Sequence, residues 1–212
     1  MEVIPIQKEH AEAAGHALAR AFMDDPVNGY VLPDAKRREK LLHYAFPRWV
    51  WGTARRGHAY TTSDFAGAAL WRSPELSVWM WVWDQFVAGL WQAPFKLYPA
   101  ELLRLRRVHG EAMHRMRASI TSPHWVLDVL GVSPESQGQG VSRRLVTPAL
   151  AKADAQNLPC YLITNKSSNI PIYNRFEFTV FREGLMVGTD LMFYEMRRPA
   201  LSDRTGKDTH HP

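Results

Sequence analysis

Two glycines, Gly138 and Gly140, stand between a strand-like stretch, HWVLDVLGV at 124–132, and a helix-like stretch that begins near Arg143. The first N–H groups of a helix have no partner inside it and carry the positive end of its dipole. Glycine also lets the backbone approach a bulky ligand closely. The order strand, glycine loop, helix therefore predicts a binding site for a phosphorylated ligand.

The sequence argues against two common nucleotide loops. The G-x-x-x-x-G-K-[ST] pattern of a P-loop is absent. In the dinucleotide pattern G-x-G-x-x-G the third glycine is replaced by Arg143. A P-loop is excluded and a dinucleotide site is disfavoured.

A second informative stretch, NKSSNIPIYNRFEF at 165–178, follows the strand-like run PCYLIT. The glycine loop matches [QR]-x-x-G-x-[GA], with Ser142 where glycine or alanine is usual, and the second stretch supplies Asn169, Tyr173 and Phe178. In order and spacing the two stretches resemble the GCN5-related N-acetyltransferase (GNAT) family. Glu177 stands where the family has a helix-ending glycine, so we expect a strained or altered helix end there.

The resemblance implies that acetyl-CoA is the cosubstrate, with its pyrophosphate on the glycine loop and its pantetheine arm along the preceding strand. Gly131 is expected to mark the place where this strand splays. Tyr173 matches the family's tyrosine near the coenzyme sulfur and is the candidate general acid. The coenzyme-binding residues implied are Leu130, Gly131, Val132, Gln137, Gly138, Gln139, Gly140, Val141, Ser142, Arg143, Asn169 and Tyr173.

The general base has two candidates in the strand at 124–132. Histidine is the side chain best suited to take up a proton near neutral pH, and several family members carry their base at the position of His124. Asp128 lies four residues further along, so strand alternation places both side chains on one face. Either could act directly or through water, and the sequence does not choose between them.

Within the family, the patterns LGVSPxxQGxG and NxPxYxRxxF look most like the bacterial branch that contains puromycin N-acetyltransferase. Ile163 replaces a glutamate usual in that branch, so puromycin itself does not follow as the substrate. The implied activity is acetyl transfer to the amine of a small molecule. A non-catalytic acyl-CoA-binding regulator and a protein or peptide N-acetyltransferase are the alternatives.

The resemblance implies an α+β fold, with a mixed, mostly antiparallel sheet flanked by helices, and the elements that must position these residues can be located along the chain. Strands are expected at 3–6, 59–63, 66–71, 124–132, 159–164 and 191–196. Helices are expected at 10–22 and 34–55, the second kinked or divided by Pro47. Residues 1–198 are read as a single domain, and the polar segment 199–212 as a disordered tail.

The segment 72–123 is expected to be mostly helical and contains Trp79, Trp81, Trp83 and Trp91. Its first three tryptophans are spaced by two, which is strand-like and conflicts with a helix. We consider three roles for this segment: a wall for an aromatic acceptor, a cap over the sheet, or a homodimer contact.

The charge and hydropathy of the chain limit the kinds of ligand and partner that it can bind. The net charge of +5 suits an anionic ligand such as acetyl-CoA, and no lysine-rich tract or nucleic-acid motif accompanies it. No apolar run reaches membrane-spanning length, and the first residues lack a secretory pattern, so a cytoplasmic protein without a membrane partner is expected.

Adjacent Asp24 and Asp25 precede Pro26 and predict a turn rather than a metal site. The single cysteine, Cys160, is expected to be buried in a strand.

Overall fold

The computed structural model describes residues 1–205. Its strands are β1 Val3–Pro5, β2 Ala59–Thr62, β3 Gly67–Arg72, β4 Trp125–Val132, β5 Cys160–Thr164, β6 Thr179–Leu185 and β7 Met192–Arg198. Its α-helices are α1 Ala11–Ala21, α2 Pro26–Val31, α3 Ala35–Ala54, α4 Val78–Val87, α5 Pro99–Ser119, α6 Val141–Ala155, α7 Ile170–Asn174 and α8 Leu201–Thr205. Short 3-10 turns occupy Lys8–His10, Leu90–Lys96, Pro134–Ser136 and Ser167–Asn169.

The strands form one seven-stranded sheet in the order β1-β2-β3-β4-β5-β7-β6. Every neighbouring pair is antiparallel except β4 and β5, which run parallel. The predicted mixed, mostly antiparallel sheet with flanking helices is therefore confirmed.

Apolar side chains cover both faces of the sheet because strand residues alternate between them. On one face, α6 packs Leu145 and Ala149 against Trp71 and Trp125. On the other, α1 and α3 bury an apolar cluster against Ala68, Leu70 and Val129. The apolar face of α1 is buried, including Ala14, Ala17 and Leu18.

Pro47 does not divide the second long helix, which runs unbroken from Ala35 to Ala54. Its ring and backbone face Gly15 of α1 so closely that a Cβ at Gly15 would lie 2.4 Å from the Pro47 backbone. A glycine opposite the proline therefore lets α1 and α3 approach each other. The contact with α1 explains why a residue unfavourable for a helix interior occupies this position.

The tryptophan-rich segment is helical, and its spacing of two was misleading. In α4, Trp79 and Trp83 are one turn apart and share the exposed face, whereas Trp81 is half-buried. After a 3-10 turn, α5 crosses to the β6–β7 side and buries Val108 in a cluster with Met186 and Phe193. The segment thus combines an exposed helix with one that contributes to the core.

The predicted tail does not begin at 199. Ala200 is buried, and α8 follows it, with Arg204 paired to Asp154 and Glu177. The remaining predicted tail, 206–212, lies outside the described residues. No helix within residues 1–205 has the length and hydropathy needed to cross a bilayer.

Candidate functional site

The glycine loop joins β4 to α6 and leaves backbone donors unused. Gly138 and Gly140 have φ values of 77° and 75°, in the left-handed region that favours glycine. In the part of the chain that the structure describes, the N–H groups from Gly138 to Ser142 have no protein acceptor. Together with the N-terminus of α6, these donors can hold a phosphate group.

Two glutamine side chains stabilise this loop through hydrogen bonds to backbone carbonyls. Gln137 donates through Nε2 to the Val132 carbonyl at 3.1 Å, and Gln139 donates to the Glu135 carbonyl at 3.3 Å. Val141 is buried, while Arg143 is exposed at the mouth of the loop. Ser142 is half-buried and lies in the first turn of α6, which begins earlier than its sequence pattern indicated.

The strands β4 and β5 pair only at their starts, through Trp125 with Cys160 and Val126 with Tyr161. From Leu127 onward, the β4 edge that faces β5 is no longer paired in the described sheet. Opposite β3, Leu70 pairs with Val129 and Trp71 with Leu127, so Asp128 is the extra residue of a bulge. The unpaired edge can accept an extended ligand in the manner of an added strand.

Gly131 lies within the unpaired stretch of β4 and also contacts α1 closely. A Cβ at Gly131 would lie 2.7 Å from the Leu18 side chain and 2.8 Å from that of Phe22. The glycine therefore permits α1 to pack directly on β4. Its neighbours Leu130 and Val132 point to the opposite face, where they join the cluster beneath α6.

Tyr173 of α7 is buried in the same apolar cluster as Leu127 of β4 and Leu162 of β5. Burial raises the pKa of its phenol, and the negative charge of Asp25 raises it further. Asn169 donates through Nδ2 to the Thr164 hydroxyl at 3.0 Å and so fixes the start of α7 against β5. The phenol therefore stays protonated, and its cluster includes the residue of each strand that follows the last β4–β5 pair.

The altered helix end after α7 is present as expected. Glu177 has a φ of 66°, so this side chain occupies the left-handed conformation usually given to glycine. Its carboxylate lies 3.0 Å from Arg198 and also contacts Arg204. Those ion pairs, together with the bond from the Phe178 N–H to the Tyr173 carbonyl, hold the turn in place.

Asp25 is a candidate that the sequence did not reveal. Its Oδ1 accepts bonds from the N–H groups of Val27 at 2.9 Å and Asn28 at 3.4 Å, which caps α2. Burial raises the pKa of the Asp25 carboxyl, and the two backbone bonds and the charge of Lys166 oppose that shift. The sequence signal, aspartate before proline, predicted a turn but not that the turn reaches Tyr173.

Asp128 is held by Arg72. The guanidinium donates to the two carboxylate oxygens at 2.6 and 2.7 Å, and its Nη2 also contacts the Met116 sulfur of α5 at 3.4 Å. Desolvation lowers the pKa of His109 on α5, and the nearby charge of Asp128 opposes this shift. Both oxygens of Asp128 are therefore engaged, and His109 is a second group on that side which the sequence did not single out.

His124 lies just before β4 rather than within it. Its Nδ1 is 2.7 Å from the Ser122 carbonyl, and its ring contacts Tyr161 at a centroid distance of 6.3 Å. His124 and Asp128 share the α5 side of the sheet, because Tyr161 clusters with Val126 and Met116 there. Asp128 lies beyond the last β4–β5 pair, whereas His124 precedes the first.

Cys160 is buried, as predicted, and burial raises the pKa of its thiol to about 12. Such a thiol is not a nucleophile near neutral pH. Within residues 1–205, no three side chains of His, Cys, Asp or Glu gather as a metal site would require.

Comparison with known proteins gives consistent results. A model described as the acetyltransferase (GNAT) family matches residues 44–178. An uncharacterized N-acetyltransferase of Schizosaccharomyces pombe is 28% identical over 212 residues, covering 94% of this chain and 85% of its own.

Two solved structures show the same fold. A Corynebacterium glutamicum structure described as histone acetyltransferase HPA2 and related acetyltransferase has a TM-score of 0.61 and 18% identity, covering 94% of this chain and 96% of its own. Arylalkylamine N-acetyltransferase 2 of Aedes aegypti has a TM-score of 0.60 and 10% identity, and the match covers 93% of this chain and 98% of the mosquito chain. At these identities, the likeness concerns the fold alone.

Proposed function

Because the chain belongs to the GNAT family of acetyltransferases, we propose that it transfers the acetyl group of acetyl-CoA directly to the amine of a small molecule. The observation that carries this proposal is the unpaired β4 edge, which has the glycine loop at one end and Tyr173 beside it. The bound coenzyme would supply an activated thioester. The protein supplies the positioning and the proton transfers.

The donor site rests on two sets of backbone groups. The unpaired N–H groups from Gly138 to Ser142 hold the pyrophosphate, and Arg143 adds a positive charge at the loop mouth. The β4 edge at Leu130 to Val132 hydrogen-bonds the pantetheine arm. Gln137 and Gln139 shape the loop, and Asn169 orients α7.

Tyr173 and a carboxylate handle the protons. As the amine nitrogen bonds to the acetyl carbon and the carbon–sulfur bond breaks, Tyr173 donates its proton to the departing sulfur. The raised pKa keeps the phenol protonated until then. Asp25 accepts the proton that the amine loses, because its Oδ2 has no protein donor in the described structure and its charge already reaches Tyr173.

This assignment gives the two earlier base candidates supporting roles. Asp128 keeps Arg72 neutralised at the bulge, since both its oxygens bind that guanidinium. His124 lies outside the opened stretch of β4. A water-mediated role for either would appear as a loss of activity in Asp128→Asn or His124→Gln equal to that of Asp25→Asn.

A small acceptor suits the surroundings of the site. The helix α5 bridges α2 and the β6–β7 pair, burying Val108 with Val31 of α2 and Phe193 of β7. Arg115 of α5 also donates to the Leu185 carbonyl of β6 at 3.3 Å. An extended peptide needs an open groove for its backbone, and α5 with its partners covers this side of the sheet.

The test is a thiol-release assay with acetyl-CoA and a panel of small amines and unstructured peptides. We expect release with a small amine, and we expect Tyr173→Phe to lower kcat by about two orders of magnitude with little change in coenzyme affinity. Tight coenzyme binding without release from any acceptor would contradict the proposal. Thiol release with peptides but with no small amine would show that the acceptor is a peptide and not a small molecule.

Ser142 provides a test of the donor site alone. Its position in the first turn of α6 needs a small side chain with a free N–H, so Ser142→Gly should leave acetyl-CoA affinity nearly unchanged. A bulky side chain in Ser142→Trp should weaken binding by at least about tenfold. Isothermal titration with acetyl-CoA measures both, and equal affinities for the two variants would place the pyrophosphate elsewhere.

A further inference from the structure

The helix α4 buries its polar face and exposes its apolar face, the reverse of an ordinary surface helix. Its polar residues Asp84 and Gln85 are buried, with 2% and 5% of their surface exposed. Asp84 accepts from Arg55 at 3.0 Å and from Arg56 at 2.6 Å, which ties α4 to the end of α3. The opposite face exposes Trp79, Trp83, Phe86, Val82 and Val87. A surface helix of a monomer normally turns such a face inward.

Four exposed rings continue this face as a row, hereafter the aromatic row: Trp83, Phe86, Trp91 and Phe95. Successive ring centroids are 5.9, 5.8 and 6.2 Å apart. Trp83 and Phe95 are 59% and 82% exposed. Contiguous apolar surface of this kind marks a contact with another phase or molecule.

The aromatic row ends beside a cationic cavity of about 500 Å³ between α3 and the 3-10 turn. The cavity is lined by Arg37, Lys40, Leu41, His43, Tyr44 and Lys96. Lys96 directly follows Phe95, and the Tyr44 hydroxyl donates to Gln92 at 3.0 Å. The 3-10 turn Leu90–Lys96 therefore contributes residues both to the aromatic row and to the cavity wall. Within residues 1–205, Lys40 and Lys96 have no carboxylate partner.

We propose that the aromatic row and the cationic cavity dock the protein on a bilayer surface that contains anionic lipids. Tryptophan and phenylalanine side chains partition into the boundary between headgroups and acyl chains, and exposed valines beside them extend the apolar contact. The cavity then receives a lipid phosphate, attracted by Lys40 and Lys96. This surface is formed by α3, α4 and the 3-10 turn Leu90–Lys96, and it involves none of the residues assigned to acetyl transfer.

Charge and shape favour an anionic bilayer at this surface over a second copy of the chain or a single-stranded nucleic acid. A second copy related by a two-fold axis at the row would bring two cationic cavities close together, which costs free energy. Single-stranded nucleic acid stacks its bases on open ring faces in a basic groove. Here Trp83 and Phe86, and Phe86 and Trp91, stack on one another, and Val82 and Val87 flank them.

The sequence predicted no membrane partner because it has no apolar run of membrane-spanning length, and neither run length nor composition tells which face of a helix is buried. The charges of Asp84, Arg55 and Arg56 contribute to a polar composition, yet Asp84 is 2% exposed and the two arginines are turned toward it. Only the orientation of α4 shows that the tryptophans face outward.

The experiment is co-sedimentation of the full chain with vesicles of phosphatidylcholine alone and of equal parts phosphatidylcholine and phosphatidylglycerol. We expect binding to the mixed vesicles. Trp83→Ser with Phe95→Ser should abolish it, and Lys40→Gln with Lys96→Gln should weaken it by about thirtyfold. Circular dichroism checks that each variant is folded. No acetyl donor is present, so the result is independent of the proposed reaction.

Two matched double variants serve as controls. Phe181→Ser with Val187→Ser removes exposed apolar side chains elsewhere, and Lys8→Gln with Lys152→Gln removes the same charge outside the cavity. Both should bind mixed vesicles like the wild type. Absence of sedimentation with mixed vesicles, or equal losses in the controls, would overturn the proposal. So would a dimer in light scattering that Trp83→Ser with Phe95→Ser disperses, or binding to single-stranded RNA but not to vesicles.

Discussion

At the scale of single residues, Asp25 links stability to function. The folded chain binds a proton at this carboxyl more tightly than the unfolded chain does, because burial raises its pKa from 3.8. The free energy of unfolding therefore falls as pH rises from this ordinary value through the raised one. Burial therefore makes the ionised form of this carboxylate costly for the fold and a better proton acceptor than an exposed aspartate.

The replacement Asp25→Asn separates these two effects. Asparagine caps a helix as well as aspartate does, so α2 keeps its N-terminal bonds. We expect the variant to be more stable than wild type at neutral pH, with no difference below the ordinary aspartate pKa, and its kcat to fall by about two orders of magnitude. Urea denaturation at both pH values and thiol release measure this. A variant with wild-type kcat would remove Asp25 from the reaction.

At the scale of elements, the turn from β4 into α6 depends on Gly140. Its φ of 75° precedes the first residue of α6, and no atom lies within 4 Å of the position where a Cβ would be. The cost of Gly140→Ala is therefore conformational, about 1–2 kcal/mol for a left-handed alanine. Relaxation of that strain would turn the loop N–H groups away from the position proposed for the pyrophosphate.

Gly57 provides the matched control, since its φ is 74° and its Cβ position is equally open, but it lies in the turn after α3. Gly57→Ala should lose as much stability as Gly140→Ala in urea denaturation. Only Gly140→Ala should also weaken acetyl-CoA binding, measured by isothermal titration. Equal affinities in the two variants would show that the loop conformation is not what binds the coenzyme.

At the scale of the whole molecule, the buried carboxylate of Glu195 connects four elements. It is 0% exposed and contacts Arg182 of β6 at 2.8 Å, Tyr161 of β5 at 3.0 Å, and Arg115 of α5 at 3.5 Å. It also accepts from Ser119 of α5. The network holds α5 against the C-terminal half of the sheet.

Glu195→Ala leaves two arginines without their buried acceptor, so we expect a loss of about 3–5 kcal/mol in the free energy of unfolding. Glu111→Ala removes a different carboxylate from the same Arg115, one turn away on α5, and should cost about 0.5 kcal/mol. Urea denaturation compares the two. Similar losses would mean that Glu195 contributes no more than a surface pair.

The sequence alone determined the features that depend on local conformation. Gly138 and Gly140 predicted a turn into a helix start, and both have left-handed φ values. Glu177 predicted an altered helix end, and the left-handed conformation occurs at that residue. Backbone preferences act over a few residues, so spacing along the chain is enough to reveal them. The class of the sheet, by contrast, followed from the resemblance to the GNAT family rather than from local spacing.

Only the tertiary structure decided what depends on contacts between distant segments. Asp25 looked like a turn residue until α7 placed Tyr173 within reach of its charge. The tryptophans of α4 looked strand-like, but Asp84 pairs with Arg55 and Arg56, which turns the polar side of the helix inward and leaves Trp79 and Trp83 exposed. Burial and long-range charge depend on how the whole chain packs, and neither is encoded in local spacing.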